Sequence, residues 1–134
     1  MKKIFLLLSL TTLFFSCKEK KDEVAPELSS QVVGTYAVTE LKVDGVNYPL
    51  DRADISIILK KFSSEVVSGV MTLKLDGTSE PDENLGTINL KNAGSTGIDL
   101  YEGTEKVGNI DKSNVLSIYV AFEGQDFEMI AKKK

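Results

Sequence analysis

From Val32 to Lys132 the chain keeps one rhythm: apolar and polar residues alternate, and turn-forming residues interrupt them at short intervals. Leu116, Ile118, Val120 and Phe122 alternate with Ser117, Tyr119 and Ala121. Val67, Met71, Leu73 and Leu75 do the same against Val66, Ser68, Val70, Thr72 and Lys74, and Ile55, Ile57 and Leu59 against Ser56, Ile58 and Lys60. Shorter runs hold Ile88 and Leu90, Ile98 and Leu100, and Phe127, Met129 and Ala131. Successive side chains of a strand point to opposite faces, so this pattern predicts sheets with one face on a core and the other wetter. No stretch shows helical spacing with caps. The expected class is all-β.

One segment breaks the parity. Tyr36 and Val38 share a face, but Leu41 and Val43 fall on the opposite one. A bulge near Thr39-Glu40 would restore all four to the same side. Asp44-Gly45 and Asp76-Gly77 supply the positive-φ positions of tight reversals. The pattern predicts strands near 32–43, 54–62, 65–75, 85–92, 97–102, 105–110, 114–122 and 126–132, with a short extra strand at 46–49. Eight sequential antiparallel strands leave two open edges, and pairing the first with the last removes both. The expected architecture is therefore an eight-stranded antiparallel up-and-down β-barrel. A β-sandwich is the alternative, although it needs a long crossover that the moderate connections here do not offer.

The N-terminus carries a different signal. Met1-Lys2-Lys3 precedes an apolar run from Ile4 to Phe15, then Ser16-Cys17 and the charged stretch Lys18 to Glu23. Twelve helical residues rise about 18 Å, short of a hydrocarbon core of roughly 30 Å, so the run reads as an export signal. Leu13-Phe14-Phe15-Ser16-Cys17 resembles a bacterial lipobox, with Phe14 and Phe15 in place of the usual leucine and small residue. The resemblance implies acylation of Cys17 after cleavage, and a protein held at the membrane by acyl chains. An ordinary secretory signal with an incidental cysteine is the alternative. Lys21-Asp22-Glu23 also resembles the export triplet of Bacteroidetes surface lipoproteins, which implies lipid anchoring at the outer membrane. The expected organisation is a signal peptide at 1–16, lipidated Cys17 and a flexible tether at 17–30, and a barrel domain at 31–134.

Composition narrows the chemistry. From Val24 onward there are 11 Lys or Arg against 17 Asp or Glu, a net charge of −6 that argues against nucleic acid as a partner. The chain has no histidine, and Cys17 is its one thiol. That removes the usual proton-transfer group, a cysteine nucleophile, and zinc sites built from Cys and His. The expectation is a non-enzymatic protein with no cofactor. The acidic loop from Asp76 to Asn84 reads as solvated, with Ca²⁺ as its alternative.

The segment Val32-Val33-Gly34-Thr35-Tyr36, soon after a lipoprotein tether and followed by a meander, resembles the opening of lipocalin-like (calycin-like) lipoproteins of Bacteroidetes. Gly34 matches the family's glycine, and Tyr36 the aromatic that plugs the closed end. The usual residue there is Trp, with an Arg from a late strand over it; the one arginine here, Arg52, lies too early in the chain. The resemblance implies a barrel with an interior ligand site. Candidate interior contacts are Tyr36, Met71, Leu73, Leu90, Ile118, Val120, Phe122 and Met129. An eight-stranded barrel is either filled by such side chains or just wide enough for one small apolar ligand. Both remain open, as does a protein-binding role, as an inhibitor or accessory subunit of an envelope complex, through an outer patch of Tyr101, Tyr119, Ile58 and Ile130.

Overall fold

In the computed structural model, which describes residues 26–134, the alternation becomes ten strands, with one short α-helix before them and a single 3-10 turn at Gly94–Thr96. Helix α1 (Leu28–Val32) precedes β1 (Gly34–Val43), β2 (Val46–Tyr48), β3 (Ala53–Ser63), β4 (Val66–Leu75) and β5 (Thr78–Ser79). Then follow β6 (Glu83–Asn92), β7 (Ile98–Glu102), β8 (Glu105–Ile110), β9 (Val115–Phe122) and β10 (Gln125–Lys133). Eight of these strands pair antiparallel in the order β1, β3, β4, β6, β7, β8, β9, β10, and β10 pairs again with β1. The barrel is closed, and the single joined sheet rules out the sandwich. β2 pairs with the last three residues of β1, and β5 with the end of β4.

The seam between β1 and β10 depends on one extra residue. Val38 pairs with Ala131 and Glu40 with Ile130, so Thr39 has no partner of its own; its hydroxyl donates to the Ile130 carbonyl at 3.3 Å. This is the bulge the parity break predicts. Tyr36 and Val38 before it, and Leu41 and Val43 after it, thereby face the same interior. At the far end of the seam, Asp44 and Asp126 latch the strands: Asp44 N–H donates to the Asp126 carbonyl at 2.8 Å, and Asp126 N–H to Asp44 Oδ1 at 2.9 Å. The reversals at Asp44-Gly45 and Asp76-Gly77 take positive φ at both residues, as expected.

The first strand starts later than the sequence suggests. Val32 belongs to α1, and residues 28–30, expected in the flexible tether 17–30, are helical too. The reason is tertiary: Ser29 and Val32 are fully buried, and Leu28 packs beside them against the core. Five residues make too short a helix to announce themselves by periodicity. The signal peptide at 1–16 and Cys17 lie outside the described residues.

Helix α1 plugs one end of the barrel, and Tyr36 holds it there. Tyr36 is fully buried, and its hydroxyl donates to the Val32 carbonyl at 2.7 Å. Ser29 N–H donates to the Ser64 carbonyl at 3.0 Å, and Lys61 pairs with Glu27, whose carboxyl this hydrogen bond and charge hold below its usual range. Lys133, near the end of β10, lies 5.9 Å from the Tyr36 ring centroid and donates to the Gln31 carbonyl at 3.4 Å. Gly34 makes room for it: φ is +146°, and a Cβ there would lie 2.8 Å from Lys133 Cε. Around this plug pack Leu59, Val67, Leu90, Leu100, Leu116 and Ala131.

Burial raises the Tyr36 phenol from its ordinary 10.0 to about 12. The neutral phenol therefore stabilises the fold fully below pH 10, and that contribution is lost as pH rises from 10 towards 12. At about 1.4 kcal/mol per unit, the loss is on the order of 2–3 kcal/mol. Denaturant titrations at pH 8 and pH 11.5 should show this drop in the wild-type chain. Tyr36→Phe, which orphans the Val32 carbonyl, should start about 1–2 kcal/mol less stable and fall less over the same range.

Candidate functional site

The two ends of the barrel are built differently. At the α1 end the side chains fill the interior; at the other they stop short. The open end is ringed by the turns at 44–45, 76–82, 103–104 and 123–124. Beneath them lies a cup of about 480 Å³, with walls of Met71, Leu85, Ile88, Val107, Ile118, Val120, Phe127 and Met129. Glu83 and Glu102 complete the lining. The volume falls within the roughly 300–1,000 Å³ of small-molecule sites.

Each wall residue arrives by strand parity or by a bulge. Met71 follows Val67 and Gly69 along the inner face of β4; Ile118 and Val120 follow Leu116 along β9; Phe127 and Met129 lead to Ala131 along β10. Leu85 and Val107 do not follow parity. Opposite β4, Gly69 pairs with Gly86 and Val70 with Asn84, which leaves Leu85 over. Opposite β7, Leu100 pairs with Gly108 and Tyr101 with Lys106, which leaves Val107 over. Gly86 takes φ +76°, and its N–H donates to Asn84 Oδ1 at 2.8 Å, fixing the first of these bulges. Each bulge adds an apolar side chain to the wall.

Of the candidates named from sequence, Met71, Ile118, Val120 and Met129 stand together in this wall. Tyr36 and Leu90 lie instead in the packed core of the closed end, and Leu73 sits on the inner face of β4 nearer the mouth, outside the wall. Phe122 pairs through its backbone with Gln125 at the rim, and its side chain lies outside the described residues. Cys17 lies outside them as well. Sequence reasoning missed Leu85, Val107, Glu83 and Glu102 as cup residues. A signal was present for two of them, because Leu85-Gly86 and Val107-Gly108 each place a glycine inside a strand, where it marks a bulge.

The rim is acidic and partly cross-linked. Arg52 binds Asp76 through two hydrogen bonds of 2.6 and 2.8 Å, and Lys42 lies 3.5 Å from Glu128. On the outer wall, Asn109 donates to Asp99 at 2.9 Å and, with Lys106 at 3.2 Å, holds that carboxyl below its usual range. Among the described residues, Glu83 and Glu102 enter no ion pair. Among them also, no three metal-ligating side chains of the Cys, His, Asp or Glu type come together. The 76–84 loop is shortened by β5, in which Thr78 and Ser79 pair back onto Leu75 and Lys74.

No protein-family model, curated protein or solved structure matches this chain.

The contrast between the ends has an energetic consequence. Leu100 is fully buried in the packed half, so Leu100→Ala should cost about 2–5 kcal/mol. Met71 borders space that is already open, so Met71→Ala enlarges the cup and should cost no more than about 1 kcal/mol. Urea unfolding of the two variants measures the difference; equal losses would mean that the cup is filled in solution.

Proposed function

We propose that this chain is an acylated envelope lipoprotein whose barrel holds one small apolar ligand in the cup at its open end, without catalysis. The observation that carries the reading is the cup itself: about 480 Å³, with eight of its ten lining residues apolar. A barrel that needed only to be stable would gain from filling that volume, at roughly 25 cal/mol for each Å² of apolar surface removed from water. The absence of histidine, and the single thiol at Cys17, support a role in binding over one in chemistry.

Membership of the lipocalin-like lipoproteins is part of this proposal. Three features support it: the up-and-down barrel order, Gly34 and Tyr36 at the plugged end, and a cation from the last strand over the aromatic. Lys133 fills the place for which the sequence offered no arginine. The lipobox-like Cys17 and the charged stretch after it support anchoring at the outer membrane. The chain leaves the described fold through α1, at the closed end, so a tether there leaves the mouth unobstructed.

A second reading, binding of an envelope protein, has one observation in its favour. β2 is a short edge strand beside the mouth, with Val46 66% and Tyr48 58% exposed. Such an edge offers unpaired backbone groups and two apolar side chains to a partner strand.

Two experiments test the proposal. An environment-sensitive apolar dye should bind at one site per chain, and Val120→Trp, which fills the cup, should lower its affinity at least tenfold while the strand signal in circular dichroism is unchanged. Undiminished binding by that variant removes the cup as the site. For the anchor, the wild-type chain should sediment with membranes and Cys17→Ala should appear in the soluble fraction, because one cysteine carries all the acyl chains.

A further inference from the structure

The charges of this barrel are sorted by end. In the segments that form the mouth, 40–54, 74–83, 102–106 and 123–128, thirteen Asp or Glu face four Lys or Arg. The rest of the described chain, gathered at and near the closed end, has seven lysines against four acids. The mouth therefore carries a net −9 and the closed end a net +3, from side chains alone. The mouth's cations are also largely engaged: Arg52 with Asp76, Lys42 with Glu128 and Lys106 with Asp99. Glu83 and Glu102, the two acids that line the cup, have no such partner among the described residues.

We propose that the ligand of this cup is a cationic amphiphile, with its apolar body against Met71, Ile118, Val120 and Met129 and its ammonium group at Glu83 and Glu102. The inference rests on the reading of the cup as a ligand site and adds the ligand's chemical class. The apolar walls account for the body. A cleft rimmed by one sign of charge over low-dielectric walls focuses its field inward and attracts the opposite sign. An alkylammonium, with a pKa close to that of lysine, is charged at neutral pH and donates charge-assisted hydrogen bonds to carboxylates. A fatty acid of equal length brings its carboxylate into a net −9 and is disfavoured there.

Decylammonium, decanol and decanoate share one apolar body and differ in head charge, so they separate the two parts of the reading. They are titrated calorimetrically below micelle formation, at pH 7 and 20 mM salt, into the full chain carrying Cys17→Ala to keep it free of membrane. The expected order of affinity is decylammonium, then decanol, then decanoate, with at least tenfold between first and last. In 500 mM salt that span should shrink several-fold, because surface charges are then screened beyond about 4–5 Å. Glu83→Gln with Glu102→Gln should weaken decylammonium at least fivefold and leave decanol unchanged, and its decanol binding reports an intact cup. Equal binding of decylammonium and decanol, or tighter binding of decanoate, overturns the cationic ligand and leaves the cup standing. Binding of none of the three overturns both. Should the double variant lose decanol binding, the order and salt response of the parent chain decide.

Discussion

The barrel depends on a single surplus residue in its first strand. β1 must pair along its length with β10 and present apolar side chains inward at both ends, yet its sequence changes parity between Val38 and Leu41. A strictly paired β1 would turn either Tyr36 and Val38 or Leu41 and Val43 to water, since a one-residue slip reverses every side chain. Thr39 absorbs the mismatch as a bulge, and its hydroxyl reaches the opposite strand so that the irregularity stays hydrogen-bonded. Closure follows: the first and last strands of the meander are joined, so neither is left as an open edge along the seam.

With the seam fixed, stability and hollowness divide between the ends. The closed end concentrates the fully buried side chains, Tyr36, Leu59, Val67, Leu100 and Leu116 among them, under a helix anchored by Tyr36, Ser29 and Lys133. The chain has no disulfide to draw on, so packing here has to carry the fold. That concentration is what lets the mouth remain open. The bulges at Leu85 and Val107 then shape the cup without adding strand length, because each turns one extra side chain inward.

Much of this was legible in the sequence, and the exceptions have physical causes. Period-two alternation located the eight barrel strands to within two residues, and the Asp-Gly pairs located two reversals, because both signals are local. The Thr39 bulge was legible because it shifts parity between two strong apolar pairs. The bulges at Leu85 and Val107 were harder, since each shifts a single residue and leaves the neighbouring Ile88 and Ile110 on the expected face. Helix α1 was invisible, because its five residues are helical on account of what they cover. Of the wall residues, Met71, Ile88, Ile118, Val120, Phe127 and Met129 could be placed inside by parity. Parity alone does not tell inside-and-packed from inside-and-hollow, so Tyr36 and Leu90 joined the same list though they belong to the other end.

Net charge hides as much as it tells. The figure of −6 from Val24 onward argues against a nucleic-acid partner, yet it is the sum of two opposed ends. Antiparallel strands do the sorting: neighbouring strands run in opposite directions, so acids late in β1 and just after β4 meet acids early in β6, β8 and β10 at the same rim. Lys60, Lys61 and Lys132 to Lys134 meet at the other end by the same logic, although more than 70 residues separate them in the chain. A barrel that repels itself at one rim gives up stability there, and the Arg52–Asp76 and Lys42–Glu128 pairs relieve only part of the repulsion. Acids held at a hollow mouth against that cost are what a positively charged ligand group would relieve, and relief of repulsion in the free protein adds to whatever contacts the ligand itself makes.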